Sequence, residues 1–349
     1  MRLEPIANPT ALRLFGLPAA ALALTVLIAS LLALMAGANP FDTLGLIVKG
    51  AAGSKFALLE TLNRATPLIF TGLAVAVAFR ARLWNIGAEA QLYIGAVVTV
   101  VLGTGAIAAP SWVLIPLIAL AAMLAGGLLL LGPALLKTRF GVDEVVTTLL
   151  LNFIVLLFVS MLLEGPLKDP MGLGWPQSPR VIAEAQWPRL VQGKRLHMGF
   201  LVAILAALAV WLMLARSVLG YEMRAVGHNA AAARFAGIPV NRVLALTALL
   251  SGGLAALGGV SEVSGLKGNL TLDLSPGFGY TGIVVAMLAL LHPLGVVASA
   301  IFVAGIFVGA DAMSRAVGVP SYIADVMTAT ALLTMGTAIV FTRYRIRWR

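Results

Sequence analysis

The sequence predicts an all-α polytopic membrane protein of about ten transmembrane helices, with both termini cytoplasmic. Three observations carry that fold class. Of 349 residues, 60% are hydrophobic and only 11% charged, whereas a soluble domain carries roughly 25% charged residues on its surface. Apolar runs of about 18 residues or more recur from end to end, without the alternation of a membrane barrel. The 24 Lys and Arg residues gather in short loops and at the C-terminus, the asymmetry that orients helices in a bilayer.

Each element follows from those runs. The first span, 13-36, is too long and too poorly followed by a cleavage site to be a signal peptide. Spans at 65-80, 88-107, 112-136 and 145-163 lead to an outer loop, 164-198, that carries Pro166, Pro170, Pro176, Pro179 and Pro188 with Trp175 and Trp187. Proline fixes backbone angles, so this loop is expected to be ordered without being helical throughout. After a span at 199-215 comes an inner loop, 216-242, followed by spans at 242-262, 280-292, 294-311 and 321-341. In the inner loop Asn229 is placed as an N-cap, Ala230 to Ala236 as a short helix, Gly237 as its stop and Pro239 as the break before the next span. That helix suits either interfacial packing or docking to a partner.

Several function classes are excluded. The net charge of +10 sits where membrane orientation puts it, so no nucleic acid is implied. Zero cysteines rule out disulfides and thiolate metal sites. His197, His228 and His292 lack ligand spacing, and no GxxxxGK[ST] loop or GxSxG elbow occurs. The chain is read as non-catalytic, without a cofactor of its own.

Polar residues inside the apolar runs remain to be explained. The stretch LWNIGAEAQLYIG, from Leu83, puts Asn85, Glu89 and Gln91 at or within a span. A carboxylate is costly in lipid and normally faces a cavity or a partner. Glu89 suits a solute pathway, a helix start, or an ion pair with Arg80 or Arg82. Glu262 and Asp325 lie near span ends, where an interfacial position accounts for them. Thr148 and Asn152 share one helix face and suit helix-to-helix hydrogen bonding, with solute contact as the other reading. Ser251, Ala255 and Gly259 recur every four residues, a packing seam. In SPGFGYTGIVVAMLA, glycines flank Phe278 and Tyr280; irregular backbone at membrane depth is tolerated where it is buried or lines a cavity.

Five stretches, in order, resemble the permease subunits of bacterial ATP-binding-cassette importers for nucleosides and simple sugars. They are LWNIGAEAQLYIGA, GVDEVVTTLLLNFI, EGPLKDPMGLGWPQSP, LGYEMRAVGHNAAAARFAGI and GFGYTGIVVAMLALLHPLG. They cover most of the chain from Thr66 to Gly295. The resemblance implies that 1-349 is a single permease domain in the bacterial inner membrane. Its implied partners are a cytosolic ATPase that holds ATP and Mg, an extracytoplasmic solute-binding protein, and a second permease subunit forming a heterodimer rather than a homodimer. It implies that Asn85, Glu89, Gln91, Thr148, Asn152, Phe278 and Tyr280 border the solute pathway. It also implies that Glu222, Arg224, Gly227, Asn229, Ala232, Ala233 and Gly237 belong to the element coupling to the ATPase. GPLKDP and WPQSP look more like the nucleoside branch than the ribose branch. Where this chain has Ala90, relatives commonly have Gly. An ion-coupled secondary transporter would instead need an inverted repeat, which the sequence does not display.

Overall fold

The computed structural model describes residues 39–318 without interruption, with 2–5, 10, 16–35, 37 and parts of 326–347. The described elements are, in order, β1 (Arg2–Pro5), α1 (Leu17–Met35), α2 (Pro40–Ala52), α3 (Lys55–Arg80), α4 (Ala88–Gly103), α5 (Ser111–Phe140) and α6 (Glu144–Glu164). They continue with α7 (Gly199–Arg216), α8 (Val218–His228), α9 (Ala230–Phe235), α10 (Val240–Val260) running into a π-helical turn (Ser261–Lys267), α11 (Phe278–Leu288), α12 (Pro293–Val317) and β2 (Tyr344–Arg347). Among the described residues, six helices are long and apolar enough to cross a membrane: α3, α5, α6, α7, α10 with its π turn, and α12. Helices α4 and α11 are apolar but shorter.

The chain forms two compact units, Met1–Thr61 with Ile301–Arg349, and Leu62–Ala300. In the first, β1 and β2 pair antiparallel and bring the two ends of the chain together. Helix α2 falls where no span was expected. Asp42 stands in its first turn and Lys49 in its last, each favourable to the helix dipole. Gly309 lies directly on the Ile47 backbone, a close approach that only a residue without a side chain permits. The predicted span 321-341, with Asp325, lies largely outside the described residues.

The second unit is built on a seam of small residues. Gly126 and Gly127 of α5 meet Gly252 and Leu249 of α10 backbone to backbone. Gly95 of α4 meets Ala256, and Gly259 meets Leu92. Lipid gives apolar helices no reason to associate with one another, so close approach supplies the packing energy instead. Of the expected seam Ser251, Ala255 and Gly259, Gly259 makes such a close approach, the neighbouring Gly252 and Ala256 make the others, and Ser251 instead donates its hydroxyl to the Ala74 carbonyl at 2.7 Å.

The segment 164–198 is ordered with little helix. Ser178 N–H donates to Leu270 O, Val181 N–H to Gly268 O and Trp187 N–H to Ser264 O, so it lies along the π turn and the loop after it. His197 is buried there beside Trp187, ring centroids 5.8 Å apart, and burial pushes its pKa down to about 4. Glu262 is buried in the π turn, facing Arg64 first and then Lys267 and Arg195.

Candidate functional site

Helix α3 ends at Arg80 and α4 begins at Ala88, and the seven residues between them have irregular backbone, with Arg82 at φ 53°. Such backbone needs partners wherever water is absent, and side chains of α5 and α6 provide them. Lys137 donates to Arg82 O at 3.0 Å and forms an ion pair with Glu144. Glu144 accepts from Trp84 N–H at 3.3 Å. Thr148 Oγ1 accepts from Ile86 N–H at 3.3 Å. Asn152 donates to Ile86 O at 3.0 Å and accepts from Ala90 N–H at 2.9 Å. Thr148 and Asn152 thus join helices, and what they bond is the backbone of the NIGAEA stretch itself.

Asn85 and Gln91, both fully buried, form a reciprocal amide pair at 2.8 and 2.9 Å. Asn85 also donates to Ser251 Oγ at 3.0 Å and accepts from Gly87 N–H at 3.0 Å. Two amides that satisfy each other leave little unpaid polarity in an apolar setting.

Glu89 makes none of the ion pairs its sequence position suggested. Its Oε2 accepts from Gly279 N–H at 2.6 Å, 190 residues away at the start of α11. The first N–H groups of a helix have no partner within it. Here Ser275 Oγ accepts from Phe278 N–H at 2.8 Å while Glu89 takes the next N–H. A carboxylate at a helix N-terminus also meets the positive end of the helix dipole. Gly279 is obligatory, since a Cβ there would overlap the Glu89 backbone. Gly277, at φ 88°, turns the chain into α11.

The other end of α11 is held from the same connection. Leu290 and Leu291 adopt φ 54° and 60°, and Arg80 donates to Leu291 O through Nε at 3.1 Å and Nη2 at 2.9 Å. A cation thus sits at the C-terminal end and a carboxylate at the N-terminal end of one 11-residue helix. That helix is about 16 Å long, roughly half a bilayer core. Helix α11 is therefore a short apolar helix clamped at both ends by residues flanking the α3–α4 connection.

Phe278 is buried, its carbonyl accepting from Thr71 Oγ1 at 3.0 Å, and Arg64 lies 5.3 Å from its ring centroid. Tyr280 is 38% exposed, the one partly open member of the predicted pathway set, with Asn152 beside its hydroxyl. Sequence reasoning missed Ser275 and Arg64 as members of this constellation, and Arg80, expected as an ion-pair partner of Glu89, instead holds Leu291 O. Tyr93, in the same polar stretch, donates its hydroxyl to Leu272 O at 2.6 Å.

The predicted coupling residues lie on α8 and α9. Asn229 Oδ1 accepts from Ala231 and Ala232 N–H at 3.0 and 3.1 Å, and Gly237 has φ 84°. Ala233 is buried and Ala232 exposed. Phe235, not singled out in the sequence, is 96% exposed. Helix α8 was not anticipated. Its Gly227 lies against the Arg80 carbonyl, where a Cβ would collide, and Arg224 donates to the Leu214 carbonyl. Glu222 is half-buried. The α8–α9 pair thus rests on the residue that grips the end of α11.

The profile of the branched-chain amino acid transport system / permease component family matches residues 57–340. The glucose ABC transporter permease protein TsgB13 of Haloferax volcanii is 34% identical, covering 99% of this chain and 93% of its own. The guanosine ABC transporter permease protein NupP of Bacillus subtilis is 34% identical over 92% of each chain. The nucleoside ABC transporter permease protein NupB of Lactococcus lactis subsp. cremoris is 30% identical over 90% of this chain and 88% of its own. With its membrane-length helices and a family match over most of its length, this chain belongs to the branched-chain-type permease family of ABC importers, in the group that includes nucleoside and simple-sugar permeases.

Proposed function

We propose that the chain is the non-catalytic translocation subunit of an ATP-driven importer of nucleosides, in a bacterial cytoplasmic membrane. The observation that carries the mechanism is the contact of α8 with Arg80. A partner ATPase, carrying ATP and Mg, would press on α8–α9 through exposed Phe235, Ala232 and the Asn229 cap. The push would pass from Gly227 to Arg80, from Arg80 to Leu291, and along α11 to Gly279 and Glu89. A rigid half-helix held at both ends moves as a lever. The solute pathway would run along the Tyr280 face of α11, with Asn85, Glu89, Gln91, Thr148, Asn152 and Phe278 as its buried frame.

Both termini are proposed to be cytoplasmic, with ten spans. The basic loops support this, as does the pairing of β1 with β2, which keeps the two ends on one side. The segment 164–198 would meet a solute-binding protein. A heterodimeric pore is supported by a second similar guanosine permease protein of the same Bacillus subtilis, NupQ, 28% identical to this chain.

Simple sugars are the second reading, favoured by the equal identity of the glucose permease protein and the guanosine one. Uptake of labelled guanosine by vesicles holding the permease pair, ATPase and binding protein decides between them. ATP-dependent uptake that excess adenosine blocks and glucose does not supports nucleosides. The reverse pattern supports sugars, and ion-driven uptake without the ATPase refutes both.

A further inference from the structure

Beside α7 runs a groove that none of these roles uses. It encloses about 490 Å³ between α7 and α10, with Val77 of α3 and Met123 of α5 closing its back, and every lining residue is apolar. That volume falls within the roughly 300–1,000 Å³ of small-molecule sites. A polar solute would find no hydrogen-bond partner in it.

Its length and its end define a ligand. Val202, Ala206, Ala209 and Met213 line it from α7, at the three- and four-residue spacing of one helix face. From Val202 to Met213 the helix rises about 16 Å. One leaflet of a bilayer core is about 15 Å deep. Arg216 continues the same stripe, seven residues beyond Ala209, and it is exposed. Arg224 reaches the same end of α7, at Leu214. An apolar slot about as long as an extended acyl chain thus has an exposed guanidinium farther along the same helix face, and a guanidinium suits phosphate.

We propose that this groove binds one acyl chain of an anionic phospholipid, with the lipid phosphate at Arg216. In the orientation given above the lipid belongs to the cytoplasmic leaflet. It would lie between α7 and α10, the helices that enter and leave the α8–α9 element.

The assembled transporter can be purified in mild detergent, loaded with phosphatidylglycerol or phosphatidylcholine, and examined by native mass spectrometry. Phosphatidylglycerol should survive delipidating washes at least tenfold better on the wild type than on Ala209→Trp. Ala206→Phe narrows the groove with a smaller side chain and should show the same loss if Ala209→Trp does not assemble. Arg216→Gln should keep a bound lipid but lose the preference for phosphatidylglycerol. Equal retention in both filled variants, or no head-group preference in the wild type, overturns the proposal. The chain has no native cysteine, so Ala209→Cys gives a single labelling position. Its crosslinking to a neighbouring subunit's helix, instead of to a lipid carrying a photoreactive acyl chain, would equally overturn it.

Discussion

Helices α9 and α11 both begin with a polar side chain capping their first N–H groups, and they differ in where the cap comes from. Asn229 caps α9 from the adjacent position, in an exposed segment. Glu89 caps α11 from 190 residues away, in an interior where it is 3% exposed. Beside water a lost cap is partly replaced by solvent. Inside the protein the orphaned N–H has no substitute, so the same bond carries more of the fold. The buried cap holds a short helix in place, and the exposed one caps the helix proposed above for docking.

The largest expected effect comes from Gly279→Ala. Its Cβ would meet the Glu89 backbone, and an overpacked site of this kind costs about 3 kcal/mol or more. Thermal unfolding in detergent should show a large drop or no folded protein; an unchanged midpoint would deny the close contact. Acid should act next, through His197. Burial holds its folded pKa at about 4, below the ordinary value of about 6.5. The folded state therefore resists protonation, and the stability present above pH 6.5 is lost as pH falls from 6.5 towards 4, by roughly 3 kcal/mol in full. Melting midpoints measured from pH 7.5 to 4.5 should fall in the wild type and flatten in His197→Gln.

Glu89→Ala should cost about 1–3 kcal/mol by stranding the Gly279 N–H. Asn229→Ala should cost less, about 1 kcal/mol, with Asn229→Asp nearly neutral. Reversal of that order would break the comparison. Phe235→Ala removes an exposed ring and should leave the midpoint unchanged while ATPase activity loses its link to uptake. Normal uptake in that variant would take the docking role away from α9.

The contrast between the caps also explains what the sequence revealed. Asn229, the short helix and Gly237 were legible because every signal lies within a few residues. Long apolar runs likewise located α5, α6, α7 and α10 closely. The clamp on α11 was not legible, because Arg80–Leu291 and Glu89–Gly279 join positions about 200 residues apart through one or two hydrogen bonds each. What could be read was the anomaly of a carboxylate in an apolar run, together with a glycine-rich break elsewhere. Nothing in either stretch says that one caps the other. Helix α2 was hidden by its charges, and α8 by its amphipathic, loop-like composition.

The central claim is that Glu89 serves as the cap of α11, so its acceptor oxygen matters more than its charge. Uptake per ATP hydrolysed, measured on reconstituted transporters carrying Glu89→Gln or Glu89→Ala, tests this most directly. Glutamine keeps the acceptor and should preserve most of the coupling, whereas alanine should lose it. Equal loss in both variants would contradict the cap and make the carboxylate's charge the functional element.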